Sequence, residues 1–287
     1  MSMLVSESDI DTNSDQDLER RFAGLSRLYG NAGAQRIRAA HVVVVGLGGV
    51  GSWAAEAAAR SGVARLTLID LDNIAGSNIN RQVHALDTTL GQAKVQAMQE
   101  RIAHINSSCQ VDCIEEFVDA VNWPVIASLD ARFDRHQVAV IDACDNVRAK
   151  TAMAAWALKS KAILISVGAA GGKRLAHRVE IDDLKLVTHD PLLAQVRYRL
   201  RKEHGANRQQ LMGIACVFSR EPVVQPLTAS CAVAPEKNDY AGQLETQISV
   251  TDRSDGSLNC HGYGSAVSVT STFGMCAAGW VINKIAA

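Results

Sequence analysis

A short glycine-rich stretch constrains the fold of this chain more than any other feature of its sequence. Residues 41–45 read HVVVV, a continuous β-branched run typical of strands that are buried on both faces. Gly46, Gly48, Gly49 and Gly51 follow, and an alanine-rich helical pattern begins at once. Glycine lets a backbone approach phosphate oxygens, and a helix N-terminus adds partial positive charge. The stretch therefore predicts a strand–loop–helix unit that binds a nucleotide phosphate; a tight turn without a ligand is the alternative.

The alternation of strand and helix patterns continues as far as residue 172. This rhythm predicts an α/β, Rossmann-like fold: a mostly parallel sheet with helices on both faces. Beyond it the chain reads as a loop, a very basic helix, a loop-rich stretch and a terminal helix. We expect a flexible acidic tail over residues 1–19 and a single domain over residues 20–287. Within that domain, residues 20–172 form the nucleotide-binding core, and residues 173–287 serve substrate binding and dimerisation.

Composition excludes several classes of protein. The chain has 287 residues and a net charge of −1, which argues against a surface coated for nucleic-acid binding but not against a local basic face. Its N-terminus is acidic and has no apolar signal-peptide core. The seven cysteines are odd in number and include no C-x-x-C pair, so we expect no disulfide framework, no zinc and a reducing cytoplasmic setting.

The C-terminal stretch 264–287 is rich in apolar residues. Serine, threonine, asparagine and lysine interrupt it, whereas a membrane-spanning helix needs roughly 20 predominantly apolar residues in a row. We therefore expect no membrane span. A buried terminal helix is the better interpretation, with Phe273, Trp280 and Ile282 among its packing side chains.

Acidic and cationic residues after the second strand indicate which nucleotide is bound. Asp70 ends that strand, where a carboxylate can accept from ribose hydroxyls, and Asp72 lies on the same face if the strand continues. A hydride-transferring NAD enzyme needs no further cations, yet Asn78, Arg81 and Lys94 follow. Such groups can hold a triphosphate and stabilise charge at its α-phosphate. They favour ATP over NAD; the alternative is that Arg81 and Lys94 are ordinary surface cations.

A second pair of acids ends a later strand. Asp142 and Asp145 lie in the run AVIDACDN, at the carboxyl end of a strand, where α/β sheets bind their ligands. One carboxylate there can hold the Mg²⁺ of ATP, because Mg²⁺ uses one or two carboxylates together with phosphates. We assign this role to Asp145. The alternative is that Asp145 or Asn146 caps the following helix.

The basic helix indicates an acidic partner. Its cationic residues, with one just beyond, are Arg197, Arg199, Arg201, Lys202, His204 and Arg208. Arg197 and Arg201 share a face at i,i+4 spacing, which leaves Leu200 to pack. Contacts of such residues with phosphates produce affinity that falls with salt. The cluster favours an acidic partner; a solvated charged helix is the alternative.

Four ordered motifs resemble the superfamily of ubiquitin-activating-type adenylating enzymes, which includes the molybdopterin- and thiamin-synthesis activators. They are GLGGVGSWAAEAAARSGVARLTLIDLD, SNINRQ, GQAKV and DACDN. Four further runs resemble a family within it, the bacterial tRNA threonylcarbamoyladenosine dehydratases. These runs are RFAGLSRLYG, GGVGSWAAEA, NRQVHAL and CVFSREPV.

This resemblance implies ATP-dependent dehydration of N6-threonylcarbamoyladenosine in tRNA to a cyclic form, through an acyl-adenylate. With that substrate, the basic cluster is expected to bind tRNA through Arg197, Arg199, Arg201, Lys202 and Arg208. It implies that the glycines line the nucleotide and that Asp70 binds the ribose. Asn78, Arg81 and Lys94 hold the phosphates and, with the magnesium-binding Asp145, are the catalytic residues. A homodimer is expected. An arginine that acts across the dimer, for which Arg20, Arg21 and Arg27 are the nearest candidates, is doubtful because their register departs from the superfamily pattern.

Three other functions stay open. The first is an adenylating activator of a ubiquitin-like sulfur-carrier protein, the second an NAD-dependent dehydrogenase, and the third a nucleotide-binding scaffold without catalysis. Participation of a sulfur-transfer or redox partner protein is also open. If any cysteine is reactive, we expect Cys216, in a loop near Arg220, because positive neighbours lower a thiol pKa; a small buried residue is the alternative. Residues 216–245 are hypothesised to form a lid over the modified base.

Overall fold

The computed structural model of the chain describes residues 7–129, 134, 136–224 and 263–287. The helices in these ranges are α1 (Glu7–Arg38), α2 (Gly51–Arg60), α3 (Lys94–Ile105), α4 (Val147–Ser160), α5 (Pro191–Glu203) and α6 (Val267–Ala286). The strands in these ranges are β1 (His41–Val45), β2 (Arg65–Ile69), β3 (Gln110–Ile114), β4 (Val138–Asp142), β5 (Ile163–Val167), β6 (Val179–Asp183) and β7 (Ala215–Ser219).

The strands form one seven-stranded sheet in the order β3-β2-β1-β4-β5-β7-β6. Each neighbouring pair is parallel except β6 with β7, which is antiparallel. The chain moves outward from β1 to β3, then returns to place β4 on the other side of β1. The order therefore reverses between β1 and β4, and ligands of α/β proteins bind at such a point. This confirms the predicted α/β, Rossmann-like fold.

Helices cover both faces of the sheet, as predicted. Val42 and Val44 of β1 pack on one face with α2, α3 and α6, whereas Val43 and Val45 pack on the other with α4 and α5. Because successive strand residues point to opposite faces, a run of four valines supplies both halves of the core. Every one of them is at most 2% exposed.

The C-terminal helix α6 is buried against α2, α1 and the sheet, which confirms that prediction. Gly274 makes the close packing with α2 possible, because a Cβ atom there would lie 2.4 Å from the Val50 carbonyl oxygen. The Arg36 guanidinium of α1 donates to the Ile285 and Ala286 carbonyls at the end of α6. In the described ranges, no helix has the length and apolar character needed to cross a bilayer.

Two expectations about the fold are corrected. Residues 7–19, expected in a flexible tail, belong to helix α1. Residues 179–183 and 215–219, expected in irregular structure, form β6 and β7. The loop-rich pattern hid β7, a five-residue strand that inserts between β5 and β6.

Candidate functional site

The candidate site lies at the carboxyl edge of the sheet, where β1 and β4 end side by side. The two strands are parallel and in register from His41 with Val138 to Val45 with Asp142. The glycine loop leaves β1 there, and the turn at residues 143–145 leaves β4. The sequence could indicate both segments, but only the strand pairing brings them together.

The glycine loop is packed so tightly that two of its glycines are sterically required. Gly46 has a φ of 86°, a conformation that favours glycine, and a Cβ atom there would lie 2.9 Å from the Cys144 nitrogen. A Cβ atom at Gly51 would lie only 1.7 Å from the Gly46 carbonyl oxygen. The loop therefore turns directly into α2 and abuts the turn after β4.

The other two glycines form the accessible surface of the loop. A Cβ atom at Gly48 would meet no atom within 4 Å, whereas at Gly49 it would touch the side chains of Arg81 and Thr270. No side chain caps the N-terminus of α2, since its N-cap residue is Val50. An open backbone next to an uncapped helix start fits a phosphate group.

Asp70 supports this loop from the end of β2. Its Oδ2 accepts from the Leu47 N–H at 2.5 Å, and its Oδ1 accepts from the Asp72 N–H at 2.9 Å. Burial raises the pKa of Asp70, and the Lys94 charge and both hydrogen bonds partly counter that effect. An ionised carboxylate has about four acceptor positions, so these two bonds leave room for ribose hydroxyls. That ribose contact stays a prediction.

Lys94 is brought to the same carboxylates. It is the first residue of α3 and is 5% exposed. Its Nζ lies 2.7 Å from Asp72 Oδ2 and 3.7 Å from Asp70 Oδ1. Lys94 is therefore not an ordinary surface cation: its ammonium is held at the edge of the sheet by two acids.

The SNINRQ segment places Arg81 over the glycine loop. Its Cγ and Cδ atoms would lie 3.1 and 3.2 Å from a Cβ atom at Gly49. Nη1 donates to Ser77 O at 2.7 Å and to Asn80 Oδ1 at 2.8 Å, and the Arg81 carbonyl accepts from Trp53 Nε1 at 3.0 Å. These contacts orient the guanidinium beside the loop.

Asn78 ends a short 3₁₀ turn, Gly76–Asn78, in that segment. Its Oδ1 accepts from the Ala75 N–H at 3.1 Å, which fixes the side chain with its amide nitrogen as the remaining donor. A phosphate role for Asn78 stays a prediction that this geometry permits.

The two acids after β4 have different surroundings. Asn146, not Asp145, caps α4 and accepts from the N–H groups of Arg148 and Ala149. Asp145 is exposed at the carboxyl edge, where one carboxylate together with phosphate oxygens suits Mg²⁺. Asp142 ends β4, as predicted, but it is fully buried and bonded to Lys150 and so does not face a ligand. The residues present fit a magnesium-bound triphosphate with Asp145 as the protein ligand.

The structure brings most of the predicted tRNA-binding residues of α5 together. A groove of about 510 Å³ is lined by Ala194, Arg197, Tyr198, Arg201, Lys202 and Arg208. Leu200 is buried beneath them, as predicted. Arg199 is instead paired with Glu203 at 3.0 Å. Arg197 Nη1 donates to the Leu184 and Val187 carbonyls at 2.9 and 2.8 Å, so this residue also holds the preceding loop in place.

The expectation of a reactive Cys216 in a loop was wrong. Cys216 lies in β7 and is 0% exposed, and burial raises its thiol pKa well above the ordinary value. Residues 216–219 of the hypothesised lid are likewise strand, and residues 225–245 lie outside the described ranges.

The described ranges contain no cluster of three histidine, cysteine or acidic residues that could hold a metal ion. Cys231 and Cys260 lie outside those ranges. The absence of zinc therefore stays a prediction.

Sequence reasoning missed Lys150, which lies directly under the site and donates to Asp142 Oδ1 at 3.0 Å. A signal was present: Lys150 shares the buried face of α4 with Val147, Thr151 and Ala154, at helical spacing. A lysine in such a stripe needs a buried acceptor, and Asp142 is the nearest acid to precede it on a core strand.

An α/β sheet with a glycine loop at its reversal point, flanked by Arg81 and Lys94, defines a nucleotide-binding Rossmann-like protein with a phosphate-handling site. The model of the ThiF family matches residues 19–179, and the chain belongs to that family. This confirms the resemblance seen in the sequence.

Individual proteins and a solved structure are also similar to this chain. A tRNA threonylcarbamoyladenosine dehydratase of Haemophilus influenzae is 38% identical over 271 residues, 93% of this chain and 94% of that protein. The crystal structure of Escherichia coli tRNA N6-threonylcarbamoyladenosine dehydratase in complex with ATP has a TM-score of 0.76 and 35% identity, covering 99% of this chain and 97% of that chain. Escherichia coli molybdopterin-synthase adenylyltransferase is 33% identical over 134 residues, 47% of this chain and 51% of that protein.

Proposed function

We propose that this protein dehydrates N6-threonylcarbamoyladenosine in tRNA to a cyclic form, at the expense of ATP. The observation that carries the proposal is the assembly of an open glycine loop, Arg81 and the acid-held Lys94 at the reversal point of the sheet. Similarity to named dehydratases along nearly the whole chain supports this substrate.

ATP binds with its phosphates against Gly48 and the start of α2, and with its ribose at Asp70. Arg81 and Lys94 supply positive charge, and Asn78 supplies an amide donor. Asp145 would hold a Mg²⁺ ion, which would neutralise part of the triphosphate charge. These groups stand at one edge of a rigid sheet, so they need little reorganisation as charge develops on the phosphates.

The first step joins the substrate to AMP. The carboxylate of the threonyl group attacks the α-phosphate, the α–β phosphoanhydride bond breaks, and pyrophosphate leaves. Arg81 and Lys94 stabilise the extra negative charge of this transition state. In the second step a nitrogen or oxygen of the same modification attacks the activated carbonyl, a proton is lost and AMP leaves. The nucleoside has then lost one water, and no enzyme thiol is required.

The substrate RNA binds along α5, through Arg197, Arg199, Arg201, Lys202 and Arg208. Tyr198, 63% exposed beside these cations, adds an aromatic surface. The protein acts as a homodimer in the cytoplasm, where its tRNA substrate is found. A sulfur-transfer or redox partner is not needed for the two chemical steps.

The test is nucleoside mass spectrometry. The purified protein is incubated with ATP, Mg²⁺ and tRNA that carries threonylcarbamoyladenosine. We expect the nucleoside to lose the mass of one water, with AMP and pyrophosphate formed in equal amounts. Arg81→Ala lowers the rate by at least about 100-fold, the size of effect seen when one charge-stabilising donor is removed. Arg65→Ala is the matched control, because Arg65 starts β2 at the opposite edge of the sheet.

An unchanged nucleoside mass in the presence of bound ATP contradicts the proposal. It would favour the second candidate, activation of a sulfur-carrier protein, for which the partial match to molybdopterin-synthase adenylyltransferase is the supporting observation. That candidate predicts pyrophosphate release on adding a carrier protein with a free C-terminal glycine, and none on adding tRNA.

A further inference from the structure

A fully buried polar cluster lies beneath the proposed nucleotide site, and the proposed reaction gives it no role. Its members are Asp142, Lys150 and Ser166, each 0% exposed. Lys150 Nζ donates to Asp142 Oδ1 at 3.0 Å, and Ser166 Oγ donates to Asp142 Oδ2 at 2.6 Å. Both oxygens of the carboxylate are therefore bound within the core.

Lys150 ties together the ends of two neighbouring strands. Besides the carboxylate, its ammonium donates to the Asp142 carbonyl at 3.1 Å and to the Val167 carbonyl at 2.7 Å. Asp142 is the last residue of β4, and Val167 is the last residue of β5. One ammonium thus links the carboxyl ends of both strands.

The turn that follows β4 is positioned by Asp142, the residue that precedes it. Its first residue, Ala143, and its second, Cys144, contact the glycine loop so closely that a Cβ atom at Gly46 would lie 3.0 Å from the Ala143 carbonyl carbon. The third residue is Asp145, the exposed acid. A shift of Asp142 would therefore move the Asp145 carboxylate relative to the glycine loop against which the turn packs.

Stability alone does not account for such a pair. Burial lowers the pKa of Lys150, but the adjacent Asp142 carboxylate reverses that effect, so the pKa is raised and the lysine stays charged. Two buried charges have a large desolvation cost, and apolar replacements of similar volume often stabilise a protein equally well or better. The pair lies directly under the site, which suggests that its role is to support the geometry of the site.

We propose that the Asp142–Lys150–Ser166 cluster is a positioning device that sets the geometry of Asp145 relative to the glycine loop. The inference rests on the proposed function, in that it assumes a magnesium-bound nucleotide at this edge. Neither Asp142 nor Lys150 is a catalytic residue, since both are sealed from solvent. They act through the turn at residues 143–145.

The experiment compares Lys150→Met with the double variant Asp142→Asn/Lys150→Met. The single variant leaves a buried carboxylate without its cation, so we expect a clear fall in Tm. The double variant removes both charges and keeps similar side-chain volumes, so we expect its Tm to return to within a few degrees of the parent value. Isothermal titration calorimetry then measures ATP affinity for each protein, with and without Mg²⁺.

In the parent protein we expect Mg²⁺ to strengthen ATP binding. In the double variant we expect that enhancement to fall at least 10-fold, while ATP affinity without Mg²⁺ changes less than 3-fold. Recovery of both Tm and the full Mg²⁺ enhancement would overturn the proposal, because the pair would then serve folding alone. The calorimetric measurement does not require turnover of tRNA. If the protein binds Mg·ATP but leaves the tRNA unchanged, the proposed function is refuted, and the same titrations still test the positioning role.

Ser166→Ala provides a second route if the double variant does not fold. It removes the hydrogen bond that Ser166 donates to Asp142 and the one that it accepts from Lys150, and it changes no charge. We expect the Mg²⁺ concentration for half-maximal enhancement to rise about 3-fold with Tm nearly unchanged. The matched control is Ser160→Ala on α4, whose hydroxyl donates to the Trp156 carbonyl within the helix. Equal behaviour of the two serine variants would count against the cluster.

Discussion

Individual residues of the glycine loop can be tested for separate roles in folding and in binding. Gly51 is enclosed, because a Cβ atom there would lie 1.7 Å from a backbone oxygen, whereas Gly48 faces open space. The four glycines look alike in the sequence. Their surroundings give each a different sensitivity to substitution.

Gly51→Ala is expected to lower the free energy of unfolding by about 1–3 kcal/mol, the cost of forcing extra volume into a packed site, and to abolish ATP binding. Gly48→Ala should change that free energy by less than about 0.5 kcal/mol. It should still weaken ATP binding, because its methyl group enters the space proposed for phosphate. Urea unfolding and calorimetry provide the two measurements. Equal loss of stability in both variants would contradict this division of roles.

A single residue, His84, is expected to make the stability of the protein depend on pH. It is 2% exposed, and burial, together with the charges of Lys94 and Arg101, lowers its pKa from 6.5 to about 4. The unfolded chain therefore binds a proton below pH 6.5 that the folded chain does not bind until about pH 4. Stability due to the neutral ring is complete above pH 6.5 and is lost as the pH falls toward 4.

The slope contributed by His84 is at most about 1.4 kcal/mol per pH unit in that window. His84→Leu should remove it, so the variant should lose less stability than the parent protein between pH 7 and pH 5. Urea unfolding at both pH values measures the difference. Since His41 has a similarly lowered pKa of about 4, a residual slope is expected in the variant. Parallel curves for the two proteins would show that His84 does not contribute.

Among the elements, α6 is the one whose packing most directly supports the site. It lies against α2, the helix that begins at the glycine loop, and Thr270 at its N-terminal end reaches Gly49. Gly274 allows this approach, whereas a Cβ atom at Gly279 on the same helix would meet nothing within 4 Å.

Gly274→Ala is therefore expected to cost about 1–3 kcal/mol of unfolding free energy and to push α6 away from α2. Gly279→Ala is the matched control and should raise that free energy by about 0.5–1 kcal/mol, because alanine is the better helix former. Chemical denaturation measures both variants. If Gly274→Ala stabilises the protein, α2 and α6 are not in close contact at this position.

Across the whole molecule, charge is distributed unevenly, and this distribution determines where an RNA could bind. The net charge is −1, yet four cationic residues line the groove on α5. Binding of tRNA there should release counterions from the phosphates and weaken steeply with salt.

Lys202→Gln and Arg208→Gln should each reduce the slope of log affinity against log salt concentration by about 1. Arg60→Gln, on α2 in the opposite helical layer, should leave the slope unchanged. Filter binding from 50 to 300 mM salt measures all three variants. A slope that Arg60→Gln reduces as much as the groove variants would place the RNA elsewhere.

The sequence by itself determined the elements that depend on local pattern. The valine run predicted β1 because a strand buried on both faces needs apolar side chains in both directions, and the glycines after it predicted the phosphate loop because they follow it directly. Asp70, Arg81 and Lys94 were recognisable for the same reason: each occupies a fixed position in a short motif next to a strand or helix end.

Only the tertiary structure decided which polar groups the core encloses. Asp142 and Asp145 are three residues apart, yet one is sealed beneath the sheet edge by Lys150 and the other faces solvent. Cys216 was expected in a loop but lies in the interior strand β7, which pairs with β5. In the chain, 48 residues separate Val167 at the end of β5 from Cys216. Burial and pairing depend on contacts between segments far apart in sequence, and no local pattern contains them.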